Sequence, residues 1–261
     1  MSHPVINHLQ QIHHERIYRV FDDWLTLALA AYCGDEEAYM ATMKRYGPRE
    51  DGKDHPADHF AHALGALQLA MMKSDKAGEV RDHLGEIYEQ LSVQSKEMGQ
   101  YFTPMEICRL MAEMTIGDDI PEDARIADPA CGSGRHLIAS SRKRPNATFY
   151  GTDLDHTCAM MTTLNMLYRN LNSYVVHGDS LRLVAHVGWM TRGTALGGVV
   201  KPIPQAQAQV VLEAALKAAR NVPEGASTPP RQGPEAPQAP SDDQTPQAFE
   251  ANKKGQFDLG F

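Results

Sequence analysis

Apolar residues recur at helical spacing through the first hundred positions. From His14 to Ala31, the set Ile17, Val20, Phe21, Trp24, Leu25 and Ala28 falls on one helix face. Gly34 reads as the stop of that helix, and Asp35 as the cap of a short one through Met43. Tyr46–Pro56 is a loop by its Gly, Pro and Asp content, and helical patterns resume over about Ala57–Met72 and Val80–Met98. Thr103-Pro104-Met105-Glu106 has the form of a capping box with proline at the first helical position. The helix it opens carries Ile107, Leu110, Met111 and Met114 on one face and is expected to end near Gly117.

Beyond that helix the period changes. Ala124–Ala127 reads as a strand, Asp128–Gly134 as a glycine turn (D-P-A-C-G-S-G) and Arg135–Arg144 as a helix. Ala147–Asp153 reads as a second strand. Asp155 then caps a helix to about Asn170, with Met160, Met161, Leu164 and Leu167 inward, and Ser173–His177 is a third strand ending in Gly178-Asp179-Ser180. Strands alternating with helices imply βαβ units and a parallel sheet. Gln205–Asn221, rich in alanine, reads as helix. Pro223–Gly255 is dense in Pro, Gln, Ser, Ala and Gly with almost no large apolar residues, the composition of a disordered segment. Gln256–Phe261 reads as the start of a fourth strand. The expected organisation is a helical N-terminal domain (1–98), a partial Rossmann-like α/β domain (99–222), a low-complexity linker (223–255) and the short strand start (256–261).

Composition narrows the function classes. The 25 basic residues against 33 acidic ones give a formal charge of −8. That disfavours nucleic-acid binding by bulk charge, though not through a small basic face or a partner. No apolar run approaches the roughly 18–20 residues that span a bilayer, and the N-terminus lacks a secretory pattern. The four cysteines, Cys33, Cys108, Cys131 and Cys158, form no C-x-x-C pair. Neither zinc nor a disulfide frame is expected, and a reducing, cytoplasmic setting is the default. His55, His59 and His62 share a helical face, which reads more simply as a solvated polar face than as a metal site; no metal is assigned. Arg142-Lys143-Arg144 sits at a helix end, where the dipole favours cations.

The glycine turn carries the chemistry. A strand that ends in glycines and opens a helix lets backbone approach a ligand and presents free N–H groups to it. Asp153 and Asp155 lie 19 and 21 residues after Gly134, near the distance expected of an acid that accepts from ribose hydroxyls. Asp179, at the end of the third strand, is suited to accept from an exocyclic amine. The single G-x-G disfavours a dinucleotide, and no G-K-[ST] follows, so a nucleoside ligand without a phosphate fits better.

Taken in order, Gly99-Gln100-Tyr101-Phe102-Thr103-Pro104, Asp128-Pro129-Ala130-Cys131-Gly132-Ser133-Gly134, Gly151-Thr152-Asp153, Leu164-Asn165-Met166 and His177-Gly178-Asp179-Ser180-Leu181 resemble the adenine-N6 DNA methyltransferases. The resemblance is strongest to the modification subunits of type I restriction systems, and it covers about residues 99–181. It implies S-adenosyl-L-methionine as cofactor. Tyr101, Phe102, Thr103 and Pro104 would border it, with the Phe102 ring face suited to a sulfonium. Asp128, Pro129, Ala130, Gly132 and Gly134 would form the turn around its methionine part, with Asp128 near the amino group. Asp153 would hold the ribose, and Asp179 with Ser180 the adenine end. DNA would be the substrate, reached through a partner specificity subunit or a recognition domain absent here. No membrane is implied, and a homo- or hetero-oligomer is left open.

The family's acceptor block, N/D-P-P-Y/F/W, is missing from these 261 residues; the one Pro-Pro, Pro229-Pro230, sits in the low-complexity stretch. Catalytic residues are therefore not assigned. The resemblance implies in-line methyl transfer needing no cysteine nucleophile, which leaves Cys131 to packing. The sequence reads as a methyltransferase truncated before that block, or as a catalytically inactive interaction protein that binds or interferes with a restriction-modification assembly.

Overall fold

The computed structural model describes residues 2–13, 15–92 and 100–220. The expected linker and fourth strand, and the end of the helix expected over Val80–Met98, lie outside these residues. Residues 1–221 form one compact unit.

Five helices open the chain: α1 (Pro4–Leu9), α2 (Ile17–Cys33), α3 (Glu36–Met43), α4 (Pro56–Lys76) and α5 (His83–Ser92). The expected punctuation operates. Gly34 closes α2 at φ 70°, where glycine adopts the left-handed conformation without a Cβ penalty. Asp35 caps α3 by accepting from the Ala38 N–H. The short α1 carries no long periodic signal and escaped the sequence reading; His3 caps it, accepting from Val5 N–H.

Helix α6 (Met105–Thr115) leads into β1 (Arg125–Asp128), α7 (Arg135–Lys143), β2 (Thr148–Asp153), α8 (His156–Tyr168) and β3 (Asn172–Asp179). Strands β1, β2 and β3 are parallel neighbours, as the alternation predicted. Two strands that the sequence reading did not find, β4 (Val184–Arg192) and β5 (Val199–Ile203), add antiparallel beyond β3 and lead into α9 (Gln205–Arg220). The result is a mixed five-stranded sheet in the order β1-β2-β3-β4-β5. Among the described residues, β1 pairs only with β2.

Two expectations about α6 change. Pro104 itself takes the cap position, extended at ψ 142°, and no side-chain cap bond forms, so the capping box at Thr103 is absent. The face that carries Ile107, Leu110, Met111 and Met114 is 44–67% exposed, while the small Cys108 and Ala112 turn inward against Ala139 of α7. Small residues let the two helix backbones approach closely; the longer side chains are left outside.

The principal core joins the helical half to the sheet. Val5, Leu9, Phe21, Trp24, Leu25, Leu67, Leu84 and Leu91 pack in one cluster with Met160, Met161 and Leu164 of α8, and with Val175 and Trp189 beneath them. Burying each such large side chain contributes roughly 1.5–3 kcal/mol. The helices before and after residue 98 thus share one interior. On the opposite sheet face, α9 lays Ala208 and Leu212 over Val176, Ala185 and Ile203. Among the described residues no helix is long and apolar enough to cross a membrane.

The N-terminus is tied down by buried polar groups. His3 Nδ1 accepts from Val5 N–H, so its Nε2–H donates to His83 Nδ1 (3.2 Å) and His83 Nε2–H donates to Ser74 Oγ (2.9 Å). Burial, aided by the neighbouring His83, lowers the His3 pKa from 6.5 to about 4. The unfolded chain therefore binds a proton that the folded protein excludes, and stability falls as pH drops from 6.5 toward 4. Urea unfolding across this range should show a loss on the order of 2–3 kcal/mol attributable to His3. His3→Gln should remove that part of the slope, and an unchanged slope would contradict the assignment.

Candidate functional site

Each of the three parallel strands ends in an aspartate: Asp128 on β1, Asp153 on β2 and Asp179 on β3. The register staggers them. Asp128 lies beside Gly151, two residues short of Asp153, and Asp153 lies beside His177, two residues short of Asp179. With a rise of about 3.3 Å per residue and strands about 4.8 Å apart, successive acids step roughly 8 Å across the carboxyl edge.

The glycine turn lies behind the first two acids. Gly132 has φ 54° and Gly134 φ 89°, conformations that favour glycine. Gly132 N–H donates to Asp153 Oδ2 (2.7 Å), and Asp155 N–H donates to Asp153 Oδ1 (2.9 Å). Burial raises the Asp153 pKa above the usual carboxylate value, the two backbone donors oppose this, and the charges of Asp155 and Asp128 add to the rise. Asp128 Oδ1 accepts from Ala130 N–H (3.1 Å), while its Oδ2 is buried with no partner among the described residues. Asp179 Oδ1 accepts from the N–H groups of Leu181 and Arg182 at 2.9 Å each. Its other oxygen lies 3.7 Å from Arg182 Nε. Asp179 makes no direct contact with the other two acids; its place in the row comes from register alone.

The stretch before α6 forms the facing wall. Phe102 covers Gly132 so closely that a Cβ there would meet its ring at 2.9 Å. The ring also contacts Tyr88 (5.4 Å between centroids) and the Arg135 guanidinium, 5.4 Å from its centroid. The ring position that the sequence reading gave to a sulfonium is thus already next to a cation on this chain. Tyr101 is 92% exposed, and Thr103, Pro104, Pro129 and Ala130 are also exposed. Ser180 sits half-buried in the turn after β3.

Behind this surface is a buried polar hub that the sequence reading missed. Asp82, 2% exposed, accepts from Gly85 N–H, Ser133 Oγ–H (2.5 Å), Arg135 Nε–H (2.8 Å) and Asn165 Nδ2–H (2.9 Å). Arg135 continues to Glu89 through Nη1 (3.0 Å) and Nη2 (2.8 Å), and to the carbonyls of Phe102 and Thr103. Gln100, quoted in the block that carries the resemblance but given no role there, donates its amide to Asp155 Oδ2 (3.0 Å) and anchors the Phe102 stretch to the start of α8. The available signals were an Asp three residues before Gly85 at a helix start and an Arg opening α7.

The other candidates resolve into structure. Cys131 is buried and its thiol pKa is raised well above the usual value by that burial, which disfavours a thiolate. The three histidines disperse. His55 caps α4, His59 bonds Asp54 (2.8 Å) and His62 lies beside His8. Among the described residues no group of His, Cys, Asp and Glu could hold a metal ion. Arg144 is buried on the carbonyls of Gly117 and Ile120, and Lys143 pairs with Glu113, so two of the three clustered cations are used internally.

Residues 79–191, which contain the aspartate row, the glycine turn and the Asp82 hub, match the family model of the N-6 DNA methylases. The match spans less than half of the chain, and over it the sequence is similar to the N-6 DNA methylases. Its relatives include the methylase subunit of the type I restriction enzyme MpnII of Mycoplasma pneumoniae, 30% identical over 116 residues, 41% of this chain and 21% of the relative. The methylase subunit of the MjaVII enzyme of Methanocaldococcus jannaschii is 31% identical over 133 residues, 46% of this chain and 22% of the relative. The chain thus spans about a fifth of the length of these relatives. A crystal structure of a type I restriction-modification methyltransferase subunit from Streptococcus thermophilus aligns with a TM-score of 0.32 at 16% identity, over 64% of this chain and 54% of that one.

Within residues 79–191, Gly132 has both a positive φ and a ring against it. Gly132→Ala should therefore destabilise the protein by about 1–3 kcal/mol in denaturant titrations. Adding Phe102→Leu should return the steric part and leave the conformational part; full loss in the double variant would show that the ring is not the obstacle.

Proposed function

We propose that this chain binds S-adenosyl-L-methionine at the carboxyl edge of β1–β3 and serves N6-adenine methylation of DNA, with sequence recognition supplied by a partner specificity subunit. The observation that carries the reading is Asp128 Oδ2, a buried carboxylate oxygen without a partner among the described residues, beside a turn with positive-φ glycines. Such an atom is costly unless a donor reaches it, and an ammonium group is the donor that suits it best. The family match and the naming of relatives as methylase subunits support the reaction class.

The row of acids suits a ligand with donors at three separated points. Asp128 accepts from the amino group of the methionine part, Asp153 from the ribose hydroxyls through lone pairs that its backbone donors leave open, and Asp179 from the adenine amine. Leu154 (66% exposed) and Leu181 (95% exposed), each just beyond a strand-end acid, offer apolar surface to the faces of a purine. Phe102, Thr103 and Pro104 would border the ligand, and the clustered carboxylates favour a cationic one. When bound, the cofactor supplies an activated methyl group for direct transfer to an amine. This chain's residues hold and orient it; the group that accepts hydrogen bonds from the target adenine is not assigned.

A second reading, a catalytically inactive interaction protein that interferes with a restriction-modification assembly, is favoured by the missing acceptor block in these 261 residues. Two measurements separate the readings. Calorimetric titration should show S-adenosylmethionine binding, and Asp128→Asn should weaken it about tenfold or more, the effect of removing a charge-assisted hydrogen bond. No binding at millimolar cofactor contradicts both the site and the reaction. Tritiated methyl incorporation into adenine of unmethylated DNA, with a specificity subunit present, supports the enzyme; binding without incorporation supports the second reading.

A further inference from the structure

We propose that Asp82 is a positioning residue for the cradle, acting through Ser133 and Arg135; this rests on the cofactor reading above. Asp82 lies at the start of α5, in the helical half of the protein, yet three of its four partners are in the glycine turn, α7 and α8. Its two carboxylate oxygens accept four hydrogen bonds, two each: Gly85 N–H and Asn165 Nδ2–H on Oδ1, Ser133 Oγ–H and Arg135 Nε–H on Oδ2. Gly85 leaves the room for this, since a Cβ there would lie 1.9 Å from Asp82 Oδ2.

Ser133 is the residue between the two positive-φ glycines, and it is held twice. Its hydroxyl donates to Asp82, and its carbonyl accepts from Asn165 Nδ2–H (2.8 Å), the amide that also donates to Asp82. Fixing Ser133 fixes Gly132, whose N–H points at Asp153 and whose open α-carbon faces Phe102. The opposite wall depends on the same carboxylate. Arg135, oriented by Asp82 and Glu89, holds the carbonyls of Phe102 and Thr103 and faces the Phe102 ring. One carboxylate therefore sets the turn that floors the cradle and the ring that walls it.

A residue that only stabilises the fold and one that shapes the cradle differ in what their loss changes locally. The experiment compares Asp82→Asn, Ser133→Ala and the double variant with Leu67→Ala, a fully buried core truncation in α4. It reads the S-adenosylmethionine dissociation constant well below each melting temperature, and amide hydrogen exchange at Gly132–Gly134 in the ligand-free protein. Expected are a dissociation constant raised about tenfold in Asp82→Asn and several-fold in the milder Ser133→Ala. The double variant should be no worse than Asp82→Asn, and exchange at the turn should be faster in all three. Leu67→Ala should lower the melting temperature with affinity and turn exchange unchanged. Should Asp82→Asn not fold, Ser133→Ala decides. Unchanged affinity or unchanged turn exchange in these variants overturns the positioning role. Failure of the wild-type chain to bind cofactor overturns the cofactor reading instead, and the exchange rates still report whether Asp82 sets the turn.

Discussion

Arg135 carries a permanent positive charge into the interior, and much of this structure is arranged to neutralise it. Burial alone would lower its pKa; hydrogen bonds and charge from Glu89 and Asp82 outweigh that and raise it. Removing one partner of such a buried pair leaves an uncompensated charge and costs roughly 3–5 kcal/mol. The pair also crosses the chain: Asp82 and Glu89 come from the helical half, Arg135 from the helix after the glycine turn. Together with the shared apolar core, this makes the helices and the sheet parts of one interior. The glycine turn is held from behind before any ligand arrives, the arrangement that lowers the entropy lost on binding.

The carboxyl edge of the sheet shows the opposite economy. Three parallel strands end in acids, one with an unpartnered buried oxygen and another with a pKa raised by burial and by its acidic neighbours. Carboxylates so placed weaken the folded state on their own account. The cost is tolerable because the turn and α7 beneath are firmly anchored.

The parts of the fold that follow from strong local chemistry were legible in the sequence. Gly34, Asp35 and Asp155 mark helix ends by φ preference and capping, and the β1–α7–β2–α8–β3 order follows from the change of period. The strand-end acids and the glycine turn were legible as positions, because each stands where a strand gives way to a turn or helix. The hub was not, since Asp82, Arg135 and Asn165 are far apart in sequence and each alone resembles an ordinary cap or helix residue. The β4–β5 pair was missed because Gly188 stands inside β4 and Pro202 inside β5, residues that argue against a strand; Gly188 is small because Ile203 of β5 packs against it. On α6 the apolar stripe was legible, but its direction was not. Period alone gives a face, and the close approach of Cys108 and Ala112 to α7 decides which face goes in.

The most direct test of the central claim, that this sheet edge is a cradle for an adenosyl sulfonium, is a crystal structure of the chain soaked with S-adenosylmethionine. The expected result is the ligand's amino nitrogen within about 3 Å of Asp128 Oδ2, with its ribose at Asp153 and its purine at the end of β3. A sheet edge left empty, with the ligand bound elsewhere or not at all, would contradict the account.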